Sequence, residues 1–146
     1  LDPRTGTVRY STAGHDAPSI RRAATGLIDS FPLPALPLGL RPGADYAVQT
    51  FELAVDDVMV LYTDGVSEAM DHAREQFGVD RLHRVLDRGH GVDAPGLRDR
   101  ILAAIDEHCG PTPRHDDTTL IVVRRTADVE ASESRSGERD RERTDR

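Results

Sequence analysis

Residues 58–70 read VMVLYTDGVSEAM. Val58 to Tyr62 is an unbroken apolar, β-rich run, and a run of that length and composition predicts a strand buried on both faces. It ends at Asp64, the side chain least suited to a core. An Asp-Gly pair ordinarily marks a hairpin turn, but the residues after Gly65 have helical rather than alternating spacing. The unit therefore reads as strand, tight turn, helix, with Asp64 at the C-terminal end of a buried strand. SEAMDHAREQ (67–76) suits a short helix with Ser67 near its start.

Working outward, Thr7 to Ala13 (TVRYSTA) alternates after turn residues and predicts a strand that Gly14 breaks; Ser19 to Arg22 suits a return strand. The stretch FPLPALPLGLRPG (31–43) carries prolines at 32, 34, 37 and 42, so it forms neither a regular helix nor a central strand and reads as a stiff, extended loop. Residues 46–53 (YAVQTFEL) alternate like a strand, and Asp56-Asp57 makes the turn before Val58. Leu82, Val85 and Leu86 fall at helical spacing within Asp80 to Leu86. Pro95 to His108 is the clearest helix: Pro95 suits a first turn, and Leu97, Ile101, Leu102 and Ile105 share a face. Gly110-Pro111 stops it. Thr118 to Arg125 (TTLIVVRR) is the last strand. From about residue 126 the chain is Ser, Glu, Asp and Arg with almost nothing apolar, the composition of a disordered tail, so the expected division is a folded part over 1–125 and a charged tail over 126–146.

With 146 residues, 37% of them apolar, the chain has material for one modest core. Its formal charge is −7 and Arg is its only basic side chain besides His, which argues against nucleic acid as the main partner. The arginines of the tail do not change this, because SGERDRERTDR alternates them with acids. A single cysteine, Cys109, excludes an internal disulfide and any multi-thiolate zinc site, and suits a reducing cytoplasm. No stretch approaches the roughly 20 apolar residues of a membrane span, so the chain reads as soluble and cytoplasmic.

Asp116 and Asp117 stand just before the last strand, in DDTTLIVV. If that strand runs antiparallel to Val58–Tyr62 and close to it, carboxylates 52 positions apart converge at one sheet edge. Carboxylates crowded there repel unless a cation lies between them. Oxygen ligands without thiolates suit Mg²⁺ or Mn²⁺ better than Zn²⁺, and a pair of such ions does hydrolytic phosphoryl chemistry. The competing reading is ordinary loop chemistry, since Asp-Gly turns and Asp pairs before strands are common.

The order of YSTAGHDAP, Leu36-Pro37-Leu38-Gly39-Leu40, VMVLYTDGVSEAMD, FGVDRL and DDTTLIVV resembles the C-terminal half of metal-dependent protein serine/threonine phosphatases of the type 2C superfamily. Within it the likeness is to the bacterial branch typified by stage II sporulation protein E, and it covers residues 1 to about 125. The resemblance implies an α/β fold, part of a four-layer αββα sandwich with two antiparallel sheets and a dinuclear Mn²⁺ or Mg²⁺ site at one edge. It carries a metal-ligand role onto Asp64 and Asp116, with Gly65 and Asp117 supporting the loops. It further implies a metal-activated water that attacks phosphoserine or phosphothreonine directly, and a phosphorylated regulatory protein, such as an anti-sigma factor antagonist, as substrate.

His15, in the AGH motif, either touches phosphate or positions a carboxylate, or is a satisfied loop residue. Glu68 reads as a helix N-terminal acid favoured by the dipole. The resemblance departs in one place that matters: the family's Gly-Asp-apolar-apolar-Asp and Gly-His-Gly elements, which carry further metal ligands, are absent. The expectation is therefore a C-terminal fragment, with the upstream half of the domain and a sensor domain elsewhere in the parent protein. A second function class stays open, a non-catalytic regulatory or partner-binding module on the same fold. His108-Cys109 to Arg114 superficially suggests a Cys-based phosphatase loop. Four residues rather than five separate Cys109 from Arg114, and two prolines remove backbone donors, so Cys109 reads as an inert helix-end residue.

Overall fold

A computed structural model describes residues 1–114 and 116–127. The expected tail lies almost wholly outside them. The apolar run at the centre of the sequence becomes β5 (Val58–Tyr62), the strand on which everything else is arranged. It pairs antiparallel with β2 (Ser19–Arg21) on one side and with β6 (Leu120–Arg124) on the other, and β3 (Ile28–Ser30) completes a sheet of order β3-β2-β5-β6. A second sheet pairs β1 (Thr7–Tyr10) with β4 (Gln49–Glu52), antiparallel, with Val8 opposite Phe51.

Alternation along β5 divides the core in two. Val58, Val60 and Tyr62 face the helices, where they pack with Leu82 and Leu86 of α2 (Gly78–Arg88) and with Leu97, Ile101, Ile105 and Cys109 of α3 (Ala94–Cys109). Met59 faces the other way and packs with Ile20, Val8 and Phe51 between the two sheets. The described residues thus form a helix layer, a four-stranded sheet and a two-stranded sheet. This is the mixed α/β architecture with two antiparallel sheets anticipated from the sequence. Each fully buried leucine or isoleucine of the helix layer contributes about 2 kcal/mol in apolar surface removed from water. The α3 residues 97, 101, 105 and 109 recur every fourth position, and Asp93 caps the helix by accepting from the Gly96 amide at 2.9 Å.

Two expectations need correction, and one strand was not anticipated. The helix after β5 is a single turn, α1 (Asp64–Ser67), which ends where the sequence reading begins it. Beyond it the Asp71 carboxylate accepts from the amides of Ala73 and Glu75, both at 2.8 Å, Arg74 adopts φ +65°, and Met70 forms a β-bridge with Gln76. A short side chain bonding its own backbone offers an alternative to the helix, and here it prevails. β3 has no strand pattern of its own; its three residues are defined by pairing with β2 across the Arg22–Leu27 turn. The fourth strand begins at Gln49 rather than Tyr46.

Candidate metal centre

The antiparallel register places Tyr62 opposite Leu120, so the end of β5 and the start of β6 lie side by side. Asp64 opens α1 two residues past Tyr62, and Asp116 lies four residues before Leu120. Both are exposed, and both line one cavity of about 200 Å³ together with Gly65, Glu68, Met70 and Arg114. The convergence anticipated from the sequence is therefore present. Asp64 accepts from the Gly65 amide at 2.9 Å and Asp116 from the Asp117 amide at 2.7 Å, each through Oδ1.

The two ends are held together by backbone and hydroxyl groups. Thr63 donates its hydroxyl to the Asp117 carbonyl at 3.2 Å and accepts from the Thr119 amide at 3.1 Å, and the Thr63 amide donates to the Thr119 carbonyl at 3.1 Å. Thr118 donates its hydroxyl to the Gly65 carbonyl at 3.3 Å. A Cβ on Gly65 would stand 2.3 Å from the Asp117 carbonyl oxygen, so only glycine admits this approach. Gly65 and Asp117 thus act here through their backbones.

Two other residues prove to line the cavity. Glu68 sits at the C-terminal end of α1, which corrects its reading as a helix N-terminal acid. Arg114 pairs with Asp106 and donates to Thr118 Oγ1 at 3.3 Å. Its position two residues before the Asp pair was the available signal, obscured by reading it with Cys109, which is buried among core side chains of α3. His15 is not in this cavity. Its imidazole is exposed and lines a separate hollow of about 390 Å³ between the sheets, beside Tyr10, Leu61 and Ile121. Its neighbour Asp16 does reach the site's flank, accepting from the Ser67 hydroxyl at 3.1 Å.

Residues 1–126 match the family model described as stage II sporulation protein E. The chain belongs to that family of phosphatases. The SpoIIE phosphatase domain of Bacillus subtilis, soaked with Mn, superposes with a TM-score of 0.67 at 19% identity, over 88% of this chain and 55% of that one. The SiaA-PP2C domain of Pseudomonas aeruginosa gives 0.71 at 20% identity, over 83% and 47%. The RsbU and RsbW domains of a Mycobacterium tuberculosis protein give 0.61 at 26% identity, over 84% and 33%. In sequence, protein IcfG of a Synechocystis strain is 26% identical over 125 residues, 86% of this chain and 19% of that protein. The chain spans about half the length of the first two solved domains.

SpoIIE-like phosphatases of the type 2C fold are metal-dependent, so the residues must be asked whether they suit a metal. The donor set is right for a hard ion, two carboxylates with a third, Glu68, on the same cavity, and no thiolate. Among the described residues no group of three or more His, Cys, Asp or Glu side chains is clustered closely enough to hold an ion. Asp64 and Asp116 are oxygen donors of the kind such an ion takes, and by themselves they make no complete ligand set. Among the described residues no helix is long and apolar enough to cross a membrane.

Proposed function

We propose that this chain supplies one side of the dinuclear centre of a metal-dependent protein serine/threonine phosphatase, with Asp64 and Asp116 as its ligands. The observation that carries the reading is their convergence on one cavity across the β5–β6 register, held by Thr63, Gly65 and Thr118. Asp64 and Asp116 would hold Mn²⁺ or Mg²⁺, which when bound would supply a water made nucleophilic at neutral pH and charge to offset that of the phosphate oxygens. The chain's own residues hold the two carboxylates on one cavity and keep Arg114, through its Asp106 pair and its bond to Thr118, at the cavity wall. The remaining ligands come from the part of the domain that this chain does not span. The substrate is a phosphorylated regulatory protein in a bacterial signalling pathway, and the site works in the cytoplasm.

The test is Mn²⁺-dependent phosphate release from a phosphoserine protein, by this chain alone and by the chain joined to the upstream half of the domain. Release from the joined form falls by about 10² or more in Asp64→Asn and in Asp116→Asn. Release that persists in both variants removes these aspartates from the centre. A joined form that binds the phosphoprotein but releases nothing supports the non-catalytic reading.

A further inference from the structure

A second cavity, of about 290 Å³, lies on the outer face of the molecule between α2 and α3. Its floor is Phe77, Val85 and Ala104, and its walls carry Arg81, Arg84 and Arg88. Positions 81, 84 and 88 fall on one face of α2, so the three guanidinium groups form a stripe that spans about 10 Å along the helix axis. Arg100 of α3 adds a fourth beside its far end, donating to the Arg88 carbonyl at 3.3 Å.

Arg81 is occupied: it pairs with Glu75 and donates to the carbonyls of Gln76 at 2.9 Å and Phe77 at 3.1 Å. Among the described residues, neither Arg84 nor Arg88 holds an ion pair, although both are exposed. Glu107 is the acid on the groove wall; Asp80 and Asp87 also lie on α2. In a chain of net charge −7 this is a local reversal of sign.

The groove also lies next to the carboxylate cavity. Met70 lines that cavity and bridges Gln76, and the Phe77 amide donates to the Ala69 carbonyl at 2.7 Å, so one pair of backbone segments separates the two hollows. We propose that the α2–α3 groove docks an acidic segment of the phosphoprotein whose phosphorylated residue lies at Asp64 and Asp116. The proposal rests on the phosphatase reading. An extended segment of about four residues covers the stripe, and carboxylates at alternate positions of it face Arg84 and Arg88. Val85, partly exposed, gives its stems an apolar contact.

The probe is a fluorescent peptide of alternating glutamate and serine, titrated against this chain by anisotropy, with a peptide carrying glutamine for glutamate as control. The acidic peptide binds, the glutamine peptide does not, and added salt weakens the binding. The double variant R84E/R88E weakens it about tenfold, and Arg84→Ala with Arg88→Ala weakens it less; circular dichroism shows that both keep the fold, since α2 buries Leu82 and Leu86 rather than these arginines. Asp64→Asn leaves peptide binding unchanged, which separates this proposal from the phosphatase reading. In the joined domain R84E/R88E raises KM for the phosphoprotein while hydrolysis of a small aryl phosphate is unaltered. Equal binding of both peptides, or unchanged affinity in the double variant, overturns the docking site. So does single-stranded DNA of equal charge binding as tightly, which makes the stripe a general polyanion surface.

Discussion

β5 is bracketed by two aspartates that the fold treats in opposite ways. Asp57, just before the strand, is 2% exposed and has its acceptors filled: Arg22 Nη1 and the Ala54 amide donate to Oδ2 at 2.8 and 3.0 Å, and the Ala23 amide donates to Oδ1 at 2.8 Å. Asp64, just after the strand, is exposed, and the protein hydrogen bond it accepts comes from the next residue's amide. Burial with full satisfaction marks a carboxylate that holds structure. Exposure on a cavity wall, with neighbouring backbone held rigid, marks one available to something else. The same residue type thus stands at one end of the strand inside a satisfied network and at the other on an open cavity wall.

The contrast can be broken by measurement. Asp57→Ala strands the Ala23 and Ala54 amides and leaves Arg22 with Asp29 as its remaining ion pair, and is expected to cost about 3 kcal/mol in thermal or urea unfolding. A loss under about 1 kcal/mol would mean that Asp57 is no structural anchor. Gly65→Ala drives its Cβ into the Asp117 carbonyl and costs about 2 kcal/mol, with the amide-exchange protection of Thr63 and Thr119 falling first. His83 tests the sheet's helix side, away from both carboxylates. Burial holds its imidazole below the ordinary value of 6.5, against the opposing charge of Asp80, and its Nε2 lies 2.9 Å from Ser19 Oγ. Its contribution is complete above pH 6.5 and is lost as pH falls from there through the lower native pKa. The loss is under about 1 kcal/mol after allowance for solvent screening, and His83→Gln flattens that part of the pH profile. The smallest effect belongs to the site: Asp64→Asn and Asp116→Asn shift stability by no more than about 0.5 kcal/mol, so that loss of phosphate release in either reports chemistry and not unfolding.

Much of this was legible in the sequence because the central elements carry strong local patterns. Val58–Tyr62 and Thr118–Arg125 are apolar and β-branched, and residues 97, 101 and 105 repeat at helical spacing. What was not legible depends on partners. β3 exists because β2 is beside it, and the 71–76 turn exists because one carboxylate captures two amides, an event that hydrophobic periodicity does not encode. The same holds for the site. That Asp64 and Asp116 would converge was readable from the expected antiparallel pairing. The Thr63–Asp117 lock and the Arg114–Asp106 pair are tertiary facts. His15, grouped with the aspartates by motif, lies on the wall of another hollow.

The lock between Thr63, Gly65 and residues 117–119 has an architectural corollary. The stretch between these ends, which includes α2 and α3, leaves the sheet and returns to the point it left, like a bight of rope seized at its neck. Its length is free of the site's geometry. Turns within it can gain or lose residues over evolutionary time, or accept a grafted module, while the distance between the two carboxylates stays set by adjacent strands and a handful of threonine and glycine contacts.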